Sequence, residues 1–197
     1  MRLALVLSLV LVSAYSTSSS IDGATIGPYN VSFNMNTSLK YIIQLNPSIV
    51  ESFRISYPML IKSNNTAFAL IKIIEYNNLT DSTPDLWSTI DLRGLEKIGL
   101  KNITYQPNMS IDNHSAFGFT GLDFQERRMY FASYWLDSKP CECGPVFIGK
   151  TNIIVESSYP LNMTAELLGS MHVEKILPEI NQKTNTMTFA PPKSDKK

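Results

Sequence analysis

The chain has 197 residues, 44% of them hydrophobic, with 17 basic and 17 acidic side chains. That length supports one domain with a real core, and the balanced charge, with no basic patch or acidic block, argues against nucleic acid as a partner. Only 17% of residues are charged, so asparagine, serine and threonine supply the polarity.

At the N-terminus Arg2 precedes an apolar run, Leu3 to Val12, and then the small residues Ser13, Ala14 and Ser16. This is the pattern of a secretory signal peptide over residues 1–16. The run is shorter than the roughly 20 residues of a membrane span. An extracytoplasmic protein, secreted or associated with the cell surface, is expected. Its single domain runs over 21–180, and the polar segment 181–197, ending KSDKK, reads as a disordered tail.

Ile21 to Pro28 reads as a leader into a strand at Tyr29–Phe33. Tyr41, Ile43 and Leu45 alternate, and Asn46-Pro47 marks a turn. Phe53, Ile55, Tyr57, Met59 and Ile61 form the clearest one-sided strand, and Pro58 within it predicts an edge position or a bulge. Residues 63–66 turn the chain into a returning strand from Ala67 to Tyr76, and 77–82 reads as a loop. Thr83-Pro84-Asp85 starts a helix with Leu86, Trp87, Ile90 and Ile98 on its buried side, ended by Gly99. Lys101–Tyr105, Ser115–Leu122 and Arg127–Leu136 are later strands. The last is apolar on both faces and belongs in the centre of a sheet.

From Asn152 the chain reads as a strand, a break at Tyr159-Pro160, and a helix. Leu161, Ala165, Leu168 and Met171 form the predicted buried stripe, with Asn162 as N-cap. The expected fold is α+β: a mainly antiparallel, twisted sheet with a few helices packed largely on one side. The sequence S-S-Y-P at Ser157–Pro160, the short helix with Leu167-Leu168, M-H-V-E-K at Met171–Lys175 and I-G-P-Y-N-V-S-F at Ile26–Phe33 resemble small secreted surface proteins of methanogenic archaea with a Mog1/PsbP-like α+β domain. The resemblance implies that fold and no transferable activity. Where such relatives often carry an acidic, Trp-containing segment after Y-P, this chain has Leu161-Asn162-Met163.

Asparagine carries the strongest signal. Of 15 asparagines, eight begin N-x-S/T: Asn30, Asn36, Asn64, Asn78, Asn102, Asn108, Asn113 and Asn162. With 36 serines and threonines in 197 residues, chance gives roughly three such acceptor sequons for N-glycosylation. The excess, behind a signal peptide, predicts a surface glycoprotein, most heavily modified at Asn64, Asn78, Asn108 and Asn113. The sequon-free run from Gly118 to Pro160 is then the expected docking surface for an extended partner.

Catalytic signatures are missing: no H-E-x-x-H, G-x-S-x-G, P-loop, G-x-G-x-x-G or EF-hand loop. Asp123, Glu126, Asp137 and Glu142 are carboxylates around the central strand and read as solvated turn residues, with a general acid–base pair as the alternative. His114 reads as a solvated loop residue and His172 as a helix-end contact. Cys141 and Cys143, in K-P-C-E-C-G-P, could form a disulfide, remain free, or pair between molecules. A zinc site would need His114 or His172 to supply the missing ligands. No cofactor or metal is expected. The leading function is a non-enzymatic binding or interaction module whose partner is a protein or envelope component. The alternatives are a hydrolase or thiol-redox protein with a site around Cys141 and Cys143, and a carrier with an apolar pocket between sheet and helix.

Overall fold

The computed structural model describes residues 21–35, 40–64, 66–82, 99–140 and 147–176. The predicted signal peptide, the helix from Thr83, the sequon at Asn36, both cysteines, Glu142 and the polar C-terminal segment lie outside the described residues.

Among the described residues the elements follow in the order β1 (Asp22–Ile26), β2 (Tyr29–Phe33), β3 (Tyr41–Leu45), β4 (Ile49–Val50), β5 (Arg54–Ser63), β6 (Phe68–Ser82), β7 (Lys101–Ile111), β8 (His114–Leu122), β9 (Arg128–Trp135), β10 (Lys139–Pro140), β11 (Phe147–Ser157), α1 (Leu161–Ser170) and β12 (His172–Lys175). All pairings are antiparallel. The large sheet runs β3-β5-β6-β11-β9-β8-β7, with β4 on β5 and β10 on β11, and a smaller sheet runs β1-β2-β12.

The expected α+β class is overturned. Among the described residues strand accounts for 66% and helix for 8%, which is close to all-β. The antiparallel pattern held, but the layer expected to be helical is half sheet. Three strands cover the large sheet alongside α1, and two of them were hidden from sequence. The leader read at Ile21–Pro28 contains β1, and M-H-V-E-K contains β12 rather than a helix end. Short strands of four or five residues carry too few alternations to declare themselves.

The large sheet presents Met59, Ile61, Ala69, Ile71, Ile73, Ala132, Tyr134, Ile153 and Val155 to one core. The smaller sheet adds Tyr29, Val31, Phe33 and Val173, and α1 adds Met163, Leu167 and Leu168. Alternation explains the selection: each is one member of every second position on its strand. Gly27 (φ +56°) makes the β1–β2 turn, and a Cβ there would lie 2.4 Å from the Tyr57 ring, so backbone freedom and space are both required. The opposite face of the large sheet carries a second buried row that includes Ile74, Phe117, Phe119, Met129 and Trp135. This agrees with the reading of the strand at 127–136 as internal.

Pro58 sits on an interior strand, yet its local setting is an edge. β3 pairs with β5 only from Met59 onward and β4 only at Ile55 and Ser56. The Pro58 carbonyl points outward to the Asn46 N–H (3.2 Å), so the missing proline N–H falls in the gap between the two short strands. The segment read as a loop at 77–82 continues β6, held by β11 at Thr80–Ser82 and by the Asn77 N–H on the Phe53 carbonyl (3.0 Å).

Candidate functional site

The corner between β11 and α1 fixes the helix, and with it an apolar cleft against the large sheet. Ser157 and Thr164 share a hydroxyl–hydroxyl hydrogen bond of 2.8 Å. Thr164 Oγ1 also donates to the Tyr159 carbonyl (3.1 Å), and the Thr164 N–H donates to the Pro160 carbonyl (2.9 Å). Thr164 is thereby turned inward, and the buried face becomes Met163, Thr164, Leu167 and Leu168. The predicted stripe is rotated: Leu161 is 61% exposed and Ala165 is exposed. Pro160 occupies the N-cap position, and Asn162 lies inside the first turn. A periodicity count could not find this, because a threonine counts as polar until its hydroxyl has buried partners.

The displaced residues line a cleft instead. Leu161, Ala165 and Leu168 face Met109, Ile111 and Tyr130 of the sheet across a space of about 230 Å³. Ligand pockets usually run from about 300 to 1,000 Å³, so this cleft has room for one small apolar group. Gly118 lies beneath it, where a Cβ would sit 2.7 Å from Met109 Sδ.

At the lower end of the cleft the structure brings together residues that sequence kept apart. The β7–β8 turn holds Asp112 and Asn113 at positive φ, 52° and 62°. Asp112 accepts the Val173 N–H at 2.9 Å, and its other oxygen lies 2.6 Å from His172 Nδ1. The Asp112 side chain is 7% exposed and that of His172 59%. The hydrogen bond to Asp112 raises the His172 pKa, against the small opposing effect of burial, and the charges of Asp112 and Glu174 add to the rise. His114 stacks on Tyr134 at 5.4 Å, and burial, followed by the charge of Asp112, pushes the Tyr134 phenol up. Both histidines therefore meet in one corner, on β8 and β12 rather than in a loop and at a helix end.

An aspartate-oriented imidazole is half of a nucleophilic device. Ser32 is the cross-strand partner of His172, but among the described residues no hydroxyl hydrogen-bonds to that ring. What the pair does in this geometry is fasten the β7–β8 turn to β12. Asp112 carries no sequence signal beyond its place in a tight turn. Among the described residues no group of three His, Cys, Asp or Glu side chains could hold a metal ion.

The other carboxylates serve the backbone. Asp123 accepts from the Gln125 and Arg127 N–H groups (2.8 and 2.9 Å) and from Arg127 Nε (2.8 Å). Burial works to raise its pKa, but these bonds and the Arg127 charge prevail and lower it. Asp137 accepts the Lys150 and Thr151 N–H groups (3.1 and 2.9 Å), and Glu126 is an exposed turn residue at φ 59°.

Among the sequon asparagines, Asn64, Asn78, Asn102, Asn113 and Asn162 are exposed. Asn64 and Asn113 occupy turns, Asn78 and Asn102 lie on strands, and the backbone of Asn108 lies in β7. Asn30 differs: its amide donates to Glu174 (3.2 Å) and accepts from Thr25 (2.9 Å). The run from Gly118 to Pro160, expected to be a docking surface, supplies β9, β11 and most of β8. It is largely interior, because those strands lie near the middle of the sheet. Exposed apolar side chains gather instead at Ile42, Leu45, Ile49, Val50 and Phe53.

Among the described residues no helix is long and apolar enough to cross a membrane. No family model matches the chain, and no curated protein or solved structure is significantly similar to it.

Proposed function

We propose that this chain is an exported, N-glycosylated protein of the cell surface or envelope, acting as a non-enzymatic binding module. The observation that carries the reading is the placement of the sequons. Asn64, Asn78, Asn102, Asn113 and Asn162 are all exposed, as a bulky, hydrated glycan requires. Asn30, whose amide is engaged by Thr25 and Glu174, is the poorest acceptor of the set. Asp123 and Asp137, two of the candidate general acid–base carboxylates, are engaged as backbone caps, which favours binding over hydrolysis. The small apolar cleft beside α1 suits one anchoring group of a partner.

Intact-mass measurement of native protein, before and after release of N-glycans, tests the reading. The expected result is several glycans, located by peptide mapping at exposed sequons and missing from Asn30. A native mass equal to the bare polypeptide would overturn it.

A further inference from the structure

The outer edge of the large sheet combines five features that point the same way. β3 ends the strand order, so one side of its backbone pairs with β5 and the other has no strand neighbour among the described residues. Such an edge is a template for another strand, and proteins that must not pair usually blunt it with charge, proline or a bulge. Here the register to β5 is regular from Tyr41 to Leu45. From Tyr41 to Val50 the sequence YIIQLNPSIV contains no charged residue, and its one proline follows the strand. Ile42 is 62% exposed and Val50 71%, and Leu45, Ile49 and Phe53 extend the apolar surface. Finally, no sequon lies between Asn36 and Asn64, and Asn46 is disqualified by Pro47.

We infer that β3 is the seam of a homodimer in which two copies pair edge to edge, antiparallel, about a two-fold axis. A two-fold seam must be complementary to itself. Centred on Ile43, this one sets Tyr41 opposite Leu45 of the second copy and Ile42 opposite Gln44 of the second copy. Lys40 faces Asn46 of the second copy, so no like charges meet. The two large sheets become one, and Ile42 and Leu45 of each copy are covered by Gln44 and Tyr41 of the other. A heterologous peptide would find hydrogen-bonding groups on this edge but no charge to select it. The self-complementary, uncharged pattern favours a second copy. The sequon argument rests on the glycoprotein reading, whereas the edge geometry does not.

Sedimentation equilibrium of the mature protein over a dilution series, with glycans present and after their release, tests the seam. The expected mass is twice the monomer, falling towards one on dilution. Ile42→Lys with Gln44→Lys sets lysine against lysine across the axis and should give a monomer whose unfolding midpoint matches that of wild type at dilutions where wild type is monomeric too. Hydrogen exchange supplies a check that needs no variant: amide protection at residues 41–45 should rise with concentration. A monomer at every concentration overturns the seam. So does a dimer that survives the double substitution with no concentration-dependent protection at 41–45, since its interface lies elsewhere. A dimer lacking glycans would keep the seam and sink the glycoprotein reading.

Discussion

The corner at Tyr159-Pro160 and the edge at β3–β4 are built from similar residues and reach opposite ends. Both follow a strand, both contain a proline, and both present isoleucine or leucine beside serine, threonine or asparagine. At the corner every polar group named above finds an internal partner. Ser157 and Thr164 are buried with their hydroxyls bonded, and Leu167 is fully buried beneath them. At the edge β3 has one strand neighbour among the described residues, and Ile42 and Leu45 stand in solvent. The hydrophobicity of a segment does not by itself decide which residues become core; what packs over them does.

Leu167→Ala should show the corner at its strongest, with a loss of about 2–5 kcal/mol in chemical denaturation of the folded domain. Leu161→Ala, on the same helix but 61% exposed, should stay within about 0.5 kcal/mol of wild type. Equal losses at the two positions would restore the periodic stripe and break the contrast drawn here.

Thr164→Val keeps the shape and removes the hydroxyl shared by Ser157 and the Tyr159 carbonyl. Leaving those buried groups unpaired should cost about 1–3 kcal/mol. The same measurement on Val50→Thr at the exposed edge should fall within about 0.5 kcal/mol of zero. A neutral Thr164→Val would mean that apolar packing alone orients α1.

The smallest effect belongs to the clasp between Asp112 and His172. The folded pKa of His172 is raised above its unfolded value, so the folded state binds the proton more tightly. The contribution is complete below the ordinary histidine range and is lost as pH rises through the raised folded value. Because the imidazole is largely solvated, the pair should contribute less than about 1 kcal/mol. Urea unfolding of wild type and His172→Gln at pH 5 and pH 9 measures it: the two proteins should differ more at the lower pH. An equal difference at both values would show that the proton on His172 is irrelevant to the join between β7–β8 and β12.

Much of the strand pattern was legible because long strands with one buried face repeat their signal. β5 gives four alternating apolar residues, Ile55, Tyr57, Met59 and Ile61, and the strand around Tyr134 declares its interior place by being apolar on both sides. β1 and β12 were not legible: neither gives more than two inward apolar side chains, and β12 finds its partner β2 at the other end of the chain. The helix was legible as a helix, but its orientation was not. That depended on Thr164, whose inward turn is stabilised by groups on Ser157 and Tyr159 that only folding brings into reach.

The functional surfaces divide in the same way. Sequence by itself determined the sequons, the leader-like N-terminus and the lack of catalytic motifs, because these are local patterns of covalent neighbours. Tertiary structure alone decided that Asp112 meets His172 and that Leu161 lines a cleft. It also turned the run from Gly118 to Pro160 inward and left Ile42 to Phe53 outside. Burial and hydrogen-bond partnership are properties of neighbours in space, and an antiparallel sheet assigns those neighbours from strands dozens of residues apart.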